Sequence, residues 1–344
     1  MIAPAPALLI FALLLALTAT VFWPGLGVFS RFRRGRRAEL RVGMEDALKH
    51  LYKAEYRGSE ASLDSLAGAL QLGQTQASRL LAALKSAGLA RNDRTAVLTD
   101  EGRTYALRII RTHRLWERYL ADRTGVAAVD WHDQAEEREH FLSADDVEEL
   151  SARLGHPRYD PHGDPIPTAS GELPAAIGVP LTHLEAGDEA RITHLEDEPR
   201  ELFDRLVKLG LAPQMPIRVL PSPPGSIYFE AGGKSIRLDA GAAQNVTVLW
   251  VPAGSISTDD QPTLASLDAG ESAEVAGISP ACQGIQRRRL LDLGIVPGTV
   301  LSAELSALGG DPRAFLVRGA LIALRRDQQA WIRIRSPRDA MAAS

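Results

Sequence analysis

Eight histidines are spread over the 344 residues, and three of them stand among acids in one short stretch. His113 and Glu117 are four residues apart, so on a helix they share a face. His132 follows. Then Glu136, Glu139 and His140 come at i, i+3 and i+4, which crowds three donors onto one turn. Imidazole nitrogens and carboxylate oxygens suit Mn²⁺, Fe²⁺ or Zn²⁺. Two readings stand here: a metal centre, or a solvated charged face to which Glu137 and Arg138 already belong. Catalysis has little support. No second Glu-x-x-His pair accompanies Glu136–His140, as a carboxylate-bridged metal enzyme would require, so the chain is read as a non-enzyme. His156, His162, His183 and His194 are scattered and receive no role.

The elements before this stretch form a familiar order. Met44 to Tyr56 reads as a helix, with Ala47, Leu48 and Leu51 at helical spacing. Ser62 caps a second helix through Leu70. Thr75 to Ala87 is a third, with Leu80, Leu81 and Leu84 inward and Gly88 as its stop. Leu89 to Leu98 reads as a short hairpin, and a long helix then runs from Thr99 to about Ala121. Helix, helix, turn, helix, wing, helix is a winged helix-turn-helix. A packed three-helix core without DNA has the same pattern, but charge favours DNA. From Gln71 to Arg94 there are Arg79, Lys85, Arg91 and Arg94 against the single Asp93. Gln74, Thr75, Gln76 and Ser78 at the helix start suit base edges and phosphates.

Composition sets the outer bounds. The hydrophobic fraction is 45%, the charged fraction 24% and the net charge −4, an ordinary folded balance in which nucleic-acid contact must be a local patch. The lone cysteine, Cys282, excludes an intrachain disulfide and a Cys-rich zinc site. Ala7 to Trp23 is nearly unbroken apolar sequence, about 25 Å as a helix, and Arg31–Arg37 holds five arginines. This predicts an inner-membrane, single-pass anchor with its N-terminus outside and the remaining domains cytoplasmic. A cleaved signal peptide would carry its positive charge before the apolar run.

Met44-Glu45-Asp46, Tyr52, Thr75–Gly88, Arg111–Arg118, His132–His140 and Pro161-His162-Gly163-Asp164-Pro165-Ile166-Pro167 together resemble the DtxR/MntR family of metal-dependent transcriptional regulators. The resemblance covers about residues 42 to 168. It implies a primary metal site of Asp46, Glu136, Glu139 and His140, with Asp46 from the first DNA-binding helix and the rest from the dimerisation domain. Iron-type members have Met and Cys where this chain has Asp46 and Glu136, so the all-oxygen-and-nitrogen set is similar to the manganese branch. Lys49 departs from that branch, which has an acid there, and puts a second cation beside Asp46 in doubt. His113, Glu117 and His132 match the family's ancillary site, although His113 and Glu117 also suit a simple helix-face hydrogen bond. The implied cofactor is Mn²⁺ or Fe²⁺, and the implied partners are a second copy of the chain and double-stranded operator DNA.

The C-terminal half repeats itself. Leu181–Gly187 recurs as Leu264–Gly270, and Leu209–Pro213 as Leu293–Pro297, at offsets of 83 and 84. Each copy alternates strand-like segments with a short helix, and both resemble FeoA domains, the SH3-like module of bacterial ferrous-iron uptake. Asp197-Glu198 and Pro221–Gly225 read as solvent-exposed turns. The expected architecture is α+β and multidomain: an anchor (1–30), a basic segment (31–41), a winged helix-turn-helix (42–105), an all-α metal-binding and dimerisation domain (106–168), a linker (169–178), one barrel (179–252), a linker (253–262) and a second barrel (263–337). The expected function is metal-dependent DNA binding. The alternative is a membrane accessory of a ferrous-iron transporter that does not bind DNA.

Overall fold

The structure, a computed structural model, describes residue 11 and residues 28–91, 95–175, 177–252, 254, 262–282, 284–306 and 310–335. The chain divides into two compact units, Met1–Ile110 and Arg111–Ser344.

In the first unit, helix α1 (Val28–Tyr56) buries Ala47, Leu48 and Leu51 against α2 (Leu63–Ala69) and α3 (Gln74–Ser86). The Ser62 hydroxyl accepts from the Ser65 backbone N–H, and Ser65 reciprocates, so α2 starts in a capping box. Leu66, Leu81 and Leu84 fill the centre. The wing is two short antiparallel strands, β1 (Ala90–Arg91) and β2 (Val97–Leu98), with Ala90 opposite Leu98. Helix α4 (Asp100–Arg123) begins in this unit, where it buries Ala106 and Ile109, and ends in the second.

The expected membrane anchor and inner-membrane placement are corrected here. Among the described residues no helix is long and apolar enough to cross a membrane. Helix α1 continues through the arginine cluster into Glu39, Arg41 and Glu45, far too charged for a hydrocarbon core. Residues 1–10 and 12–27, on which the anchor was read, lie outside the described residues.

The second unit opens with the rest of α4, followed by α5 (Trp131–Glu139) and α6 (Ala144–Arg153). Leu115, Val147, Leu150 and Ile166 form one small core, and Leu120, Ala121 and Trp131 another. Two antiparallel sheets follow. The first has the order β3 (Val179–Pro180), β8 (Val246–Trp250), β4 (Glu189–Leu195), β5 (Pro216–Leu220), β6 (Ser226–Ala231), β7 (Lys234–Asp239), with helix α7 (Arg200–Lys208) after β4 and the short α8 (Ala240–Ala243) after β7. The second has the order β12 (Ala320–Leu324), β11 (Arg313–Val317), β10 (Val300–Ser306), β9 (Ser272–Ile278), β13 (Ile332–Arg335), with α9 (Gly284–Asp292) after β9 and α10 (Arg326–Ala330) after β12. The sequence repeat is therefore a structural repeat, strand for strand from β4 and β9 onward. Phe229 centres the first core and Phe315 the second.

One turn fastens the first sheet to the helices of its own unit. Asp160 Oδ1 accepts from the backbone N–H groups of His162, Gly163 and Asp164, each at 2.9 Å. Arg114 on α4 donates to the Pro165 carbonyl at 2.6 Å and pairs with Asp164 at 3.3 Å. The Leu195 N–H of β4 donates to the His162 carbonyl at 2.9 Å. Gly163 has φ +102, and a Cβ there would lie 2.0 Å from the Thr193 carbonyl oxygen. Both the left-handed backbone and the contact demand glycine. Gly163→Ala should destabilise the second unit by roughly 1–3 kcal/mol, as other overpacking changes do, measured by urea unfolding. An unchanged midpoint would show that the turn does not bear on β4.

Candidate metal centre

Helix α4 points His113 and Glu117 inward, where both are buried, and α5 brings His132 to face them. His113 Nε2 lies 3.1 Å from Glu117 Oε1 and 3.2 Å from His132 Nδ1, and His132 Nδ1 lies 3.4 Å from Glu117 Oε1. Three donors in a triangle of this size are spaced as ligands about 2.0–2.2 Å from one cation would be. Glu139, at the end of α5, accepts from His113 Nδ1–H at 2.6 Å. That bond commits Nδ1 and turns Nε2 toward the triangle, the usual outer carboxylate behind a ligating histidine.

Two further residues, which sequence reasoning missed, complete the arrangement. Asp197, read from sequence as an exposed turn, has a side chain only 14% exposed, and its Oδ2 lies 3.1 Å from His132 Nδ1. Glu198 beside it keeps the exposed character expected of both, at 51%. His162, given no role from sequence, is 1% exposed, with Nε2 3.6 Å from Glu117 Oε1. A signal for Asp197 was present: the second copy has Pro280-Ala281 where the first has Asp197-Glu198. His162 offered none, because the turn that buries it is tertiary.

Electrostatics follow from the crowding. Burial alone would raise the Glu117 carboxyl, but His113, His132 and His162 hold it well below its ordinary range. Burial pulls His132 down, yet Asp197 and Glu117 outweigh it and push the imidazole up to about 11. His162 is likewise pushed up to about 9 against its burial, chiefly by Glu117. Asp197, which burial would raise, is lowered by its bond to His132.

The other expected ligands are placed as follows. Glu139 and His140 are buried, with His140 Nε2 3.6 Å from Glu139 Oε1. Glu136 is exposed on α5, with Oε1 3.9 Å from His132 Nε2. Asp46 is half-buried on α1 of the first unit. Of the expected DNA contacts, Thr75, Ser78 and Arg79 stand exposed on α3, Arg91 is exposed on β1 and Lys85 is half-buried. Gln74 and Gln76 are also exposed but carry local structural bonds. Gln74 Nε2 donates to Asp64 at 2.5 Å, and Gln76 Oε1 accepts from the Gly73 N–H at 3.4 Å. Arg94 lies outside the described residues.

Known proteins resemble much of the chain. Residues 99–168 match the iron dependent repressor metal binding and dimerisation domain, and residues 179–249 and 263–336 each match the FeoA domain. The chain is 30% identical over 197 residues to the iron-dependent repressor IdeR of Mycobacterium leprae, which is 53% of this chain and 85% of that protein. It is 28% identical over 214 residues to the diphtheria toxin repressor of Corynebacterium glutamicum, covering 58% and 93%. A manganese-dependent transcriptional repressor in complex with manganese superposes with a TM-score of 0.56 at 30% identity, over 60% of this chain and all of that one. The chain belongs to the DtxR/MntR family of metal-dependent transcriptional repressors, with two C-terminal FeoA domains. The family is one of regulators and not of enzymes.

A metal ligand must give up its proton. With His132 held above its ordinary value, metal uptake at the triangle competes with a proton at neutral pH. Mn²⁺ affinity there should rise with pH, by about tenfold per unit for one displaced proton. His132→Ala should weaken it by at least about tenfold, both measured by calorimetry. A pH-independent affinity, or an unaffected variant, would leave the triangle as a hydrogen-bonded network only.

Proposed function

We propose that the chain is a Mn²⁺- or Fe²⁺-dependent, DNA-binding transcriptional repressor that acts as a homodimer. The observation that carries the reading is the His113–Glu117–His132 triangle, with His113 and Glu117 buried and His132 half-buried, a donor set suited to a divalent first-row metal, in a chain that also holds a winged helix. The primary ligand set is proposed to be Asp46, Glu136, Glu139 and His140, and the ancillary set His113, Glu117 and His132. Their oxygen and nitrogen donors, with no thiolate or thioether, favour Mn²⁺. When bound, the metal supplies a divalent charge that holds its ligand-bearing segments together. Glu139 serves both sets in this reading, through its own oxygen and through its bond to His113. Because Asp46 belongs to the DNA-binding unit, ligation is proposed to favour one arrangement of the units, and a ligand that favours one state shifts its population. The first barrel contributes Asp197. The transporter-accessory alternative drew on a membrane span and on the FeoA domains; no described helix supplies the span, and the metal-dependent repressor reading is the one favoured here.

Helix α3 is proposed as the recognition helix, with Thr75, Ser78 and Arg79 at the base edges and Gln74, Gln76 and Lys85 beside them. Arg91 and Arg94 of the wing are proposed to meet phosphates. Two copies would read half-sites about one helical turn apart. The test is selection from a randomised duplex library with Mn²⁺ and with chelator, at fixed salt. One sequence class should emerge with Mn²⁺ alone. On that sequence Arg79→Ala should cost roughly 1–3 kcal/mol and relax one position, whereas Arg91→Ala should weaken all duplexes and lower the salt slope by about one. Failure to select any sequence with Mn²⁺ would reduce the winged helix to a scaffold.

A further inference from the structure

A cavity of about 340 Å³ lies in the second unit where three of its parts meet. Trp131 at the start of α5 walls it from the helical side, Phe203 and Val207 of α7 from the first FeoA domain, and Ala281, Ile285 and Trp331 from the second. Its volume falls at the lower end of the range for small-molecule sites, roughly 300–1,000 Å³. Close backbone approaches set the walls. Gly284, which also lines the cavity, comes so near α4 that a Cβ would lie 2.0 Å from the Ala121 carbonyl oxygen. A Cβ on Gly125 would already touch Ile285 Cγ2, at 3.8 Å.

Polar side chains on this lining are few, and most are committed. Trp131 Nε1–H donates to the Val126 carbonyl at 3.0 Å, and the Thr124 hydroxyl donates to the Leu120 carbonyl at 2.6 Å. Gln286, exposed at the rim, accepts from Gln328 Nε2 at 3.5 Å. His162 is different. It is 1% exposed, and neither Nδ1 nor Nε2 has a hydrogen-bond partner. Glu117 Oε1 stands 3.6 Å from Nε2, which accounts for that edge of the ring and not for Nδ1. Trp131 and Phe203 meet the imidazole edge-on at centroid distances of 5.7 and 4.8 Å, so packing fixes its direction. Buried polar atoms are nearly always paired. A buried imidazole without a partner, on the wall of a mainly apolar cavity, supplies the orienting polar group that small-molecule sites carry.

We propose that this cavity binds a small aromatic molecule bearing a hydroxyl, a phenol or a naphthol, with its rings among Trp131, Phe203 and Trp331 and its hydroxyl hydrogen-bonded to His162 Nδ1. The walls dictate the class. Indole and phenyl groups favour a flat apolar partner in offset or edge contact, and an apolar lining holds water poorly. A bare Nδ1 accepts a hydrogen bond and a protonated one donates, and a hydroxyl answers both. A carboxylate or an ammonium would bury a full charge against apolar walls. The occupant touches the start of α5 and both FeoA domains at once, so its binding free energy adds to the stability of the second unit. Neither metal nor DNA takes part.

The test is calorimetry of the full chain with 2-naphthol and with naphthalene, which fills the same space without the hydroxyl, in chelator and again with Mn²⁺. 2-Naphthol should bind once per chain, about fivefold or more tighter than naphthalene, the margin of one buried hydrogen bond. It should also raise the midpoint of thermal unfolding. His162→Phe keeps the aromatic packing and should bind the two compounds equally. Ala281→Leu narrows the cavity from the second FeoA domain, leaves His162 in place and should weaken both. Thermal unfolding without ligand verifies that each variant is folded. Absence of saturable binding, equal affinities for the two compounds in the wild type, a naphthol preference that survives in folded His162→Phe, or undiminished binding by folded Ala281→Leu would overturn the proposal.

Discussion

Glu117 is a carboxylate with 1% of its surface exposed, and a buried carboxylate is tolerated only when positive or hydrogen-bonding groups surround it. Here three imidazoles do so, from three different segments: His113 on the same helix, His132 on α5 and His162 on the turn that precedes the first sheet. Each of those segments is positioned by its own apolar packing, and all of them converge on one oxygen. Remove the carboxylate and three histidines are left facing one another. Remove the histidines and an uncompensated charge is left inside.

The first sheet and its helix are joined to the helical domain of the same unit by polar as well as apolar contacts. Asp197 bonds His132, Arg200 on α7 pairs with Asp130 and Asp133, and the turn bearing His162 is pinned to β4. The second FeoA domain approaches α4 by a different device. Gly284 at the start of α9 has φ +60 and approaches so near that a Cβ would sit 2.0 Å from the Ala121 carbonyl oxygen. The first copy of the repeat therefore meets the helices through a buried acid and the second through a close backbone approach, which agrees with the acid pair being present in the first copy and absent from the second.

The winged helix was legible in the sequence because its signals are local. Ser62, Gly88 and the leucines at helical spacing specify start, stop and buried face without reference to anything distant. His113, Glu117 and His132 were legible for a similar reason, since two share a helix face and the third begins the next helix. Asp197 and His162 were not. Each sits in a short irregular segment buried against a residue distant in sequence, Asp197 against His132 on α5, 65 positions away, and His162 against Glu117 on α4, 45 positions away, and local polarity there argues for solvent. The expected anchor was read on an apolar run that lies outside the described residues, and among the described residues no helix is long and apolar enough to cross a membrane.

The central claim is that metal held by these ligands and DNA held by the winged helix are coupled. Coupling of binding free energies is reciprocal, so it can be measured from the metal side. The decisive experiment is a Mn²⁺ binding isotherm of the full chain with and without a saturating amount of the selected duplex. The account predicts tighter Mn²⁺ binding in the presence of DNA, by the same factor by which Mn²⁺ tightens DNA binding. Superimposable isotherms would contradict it.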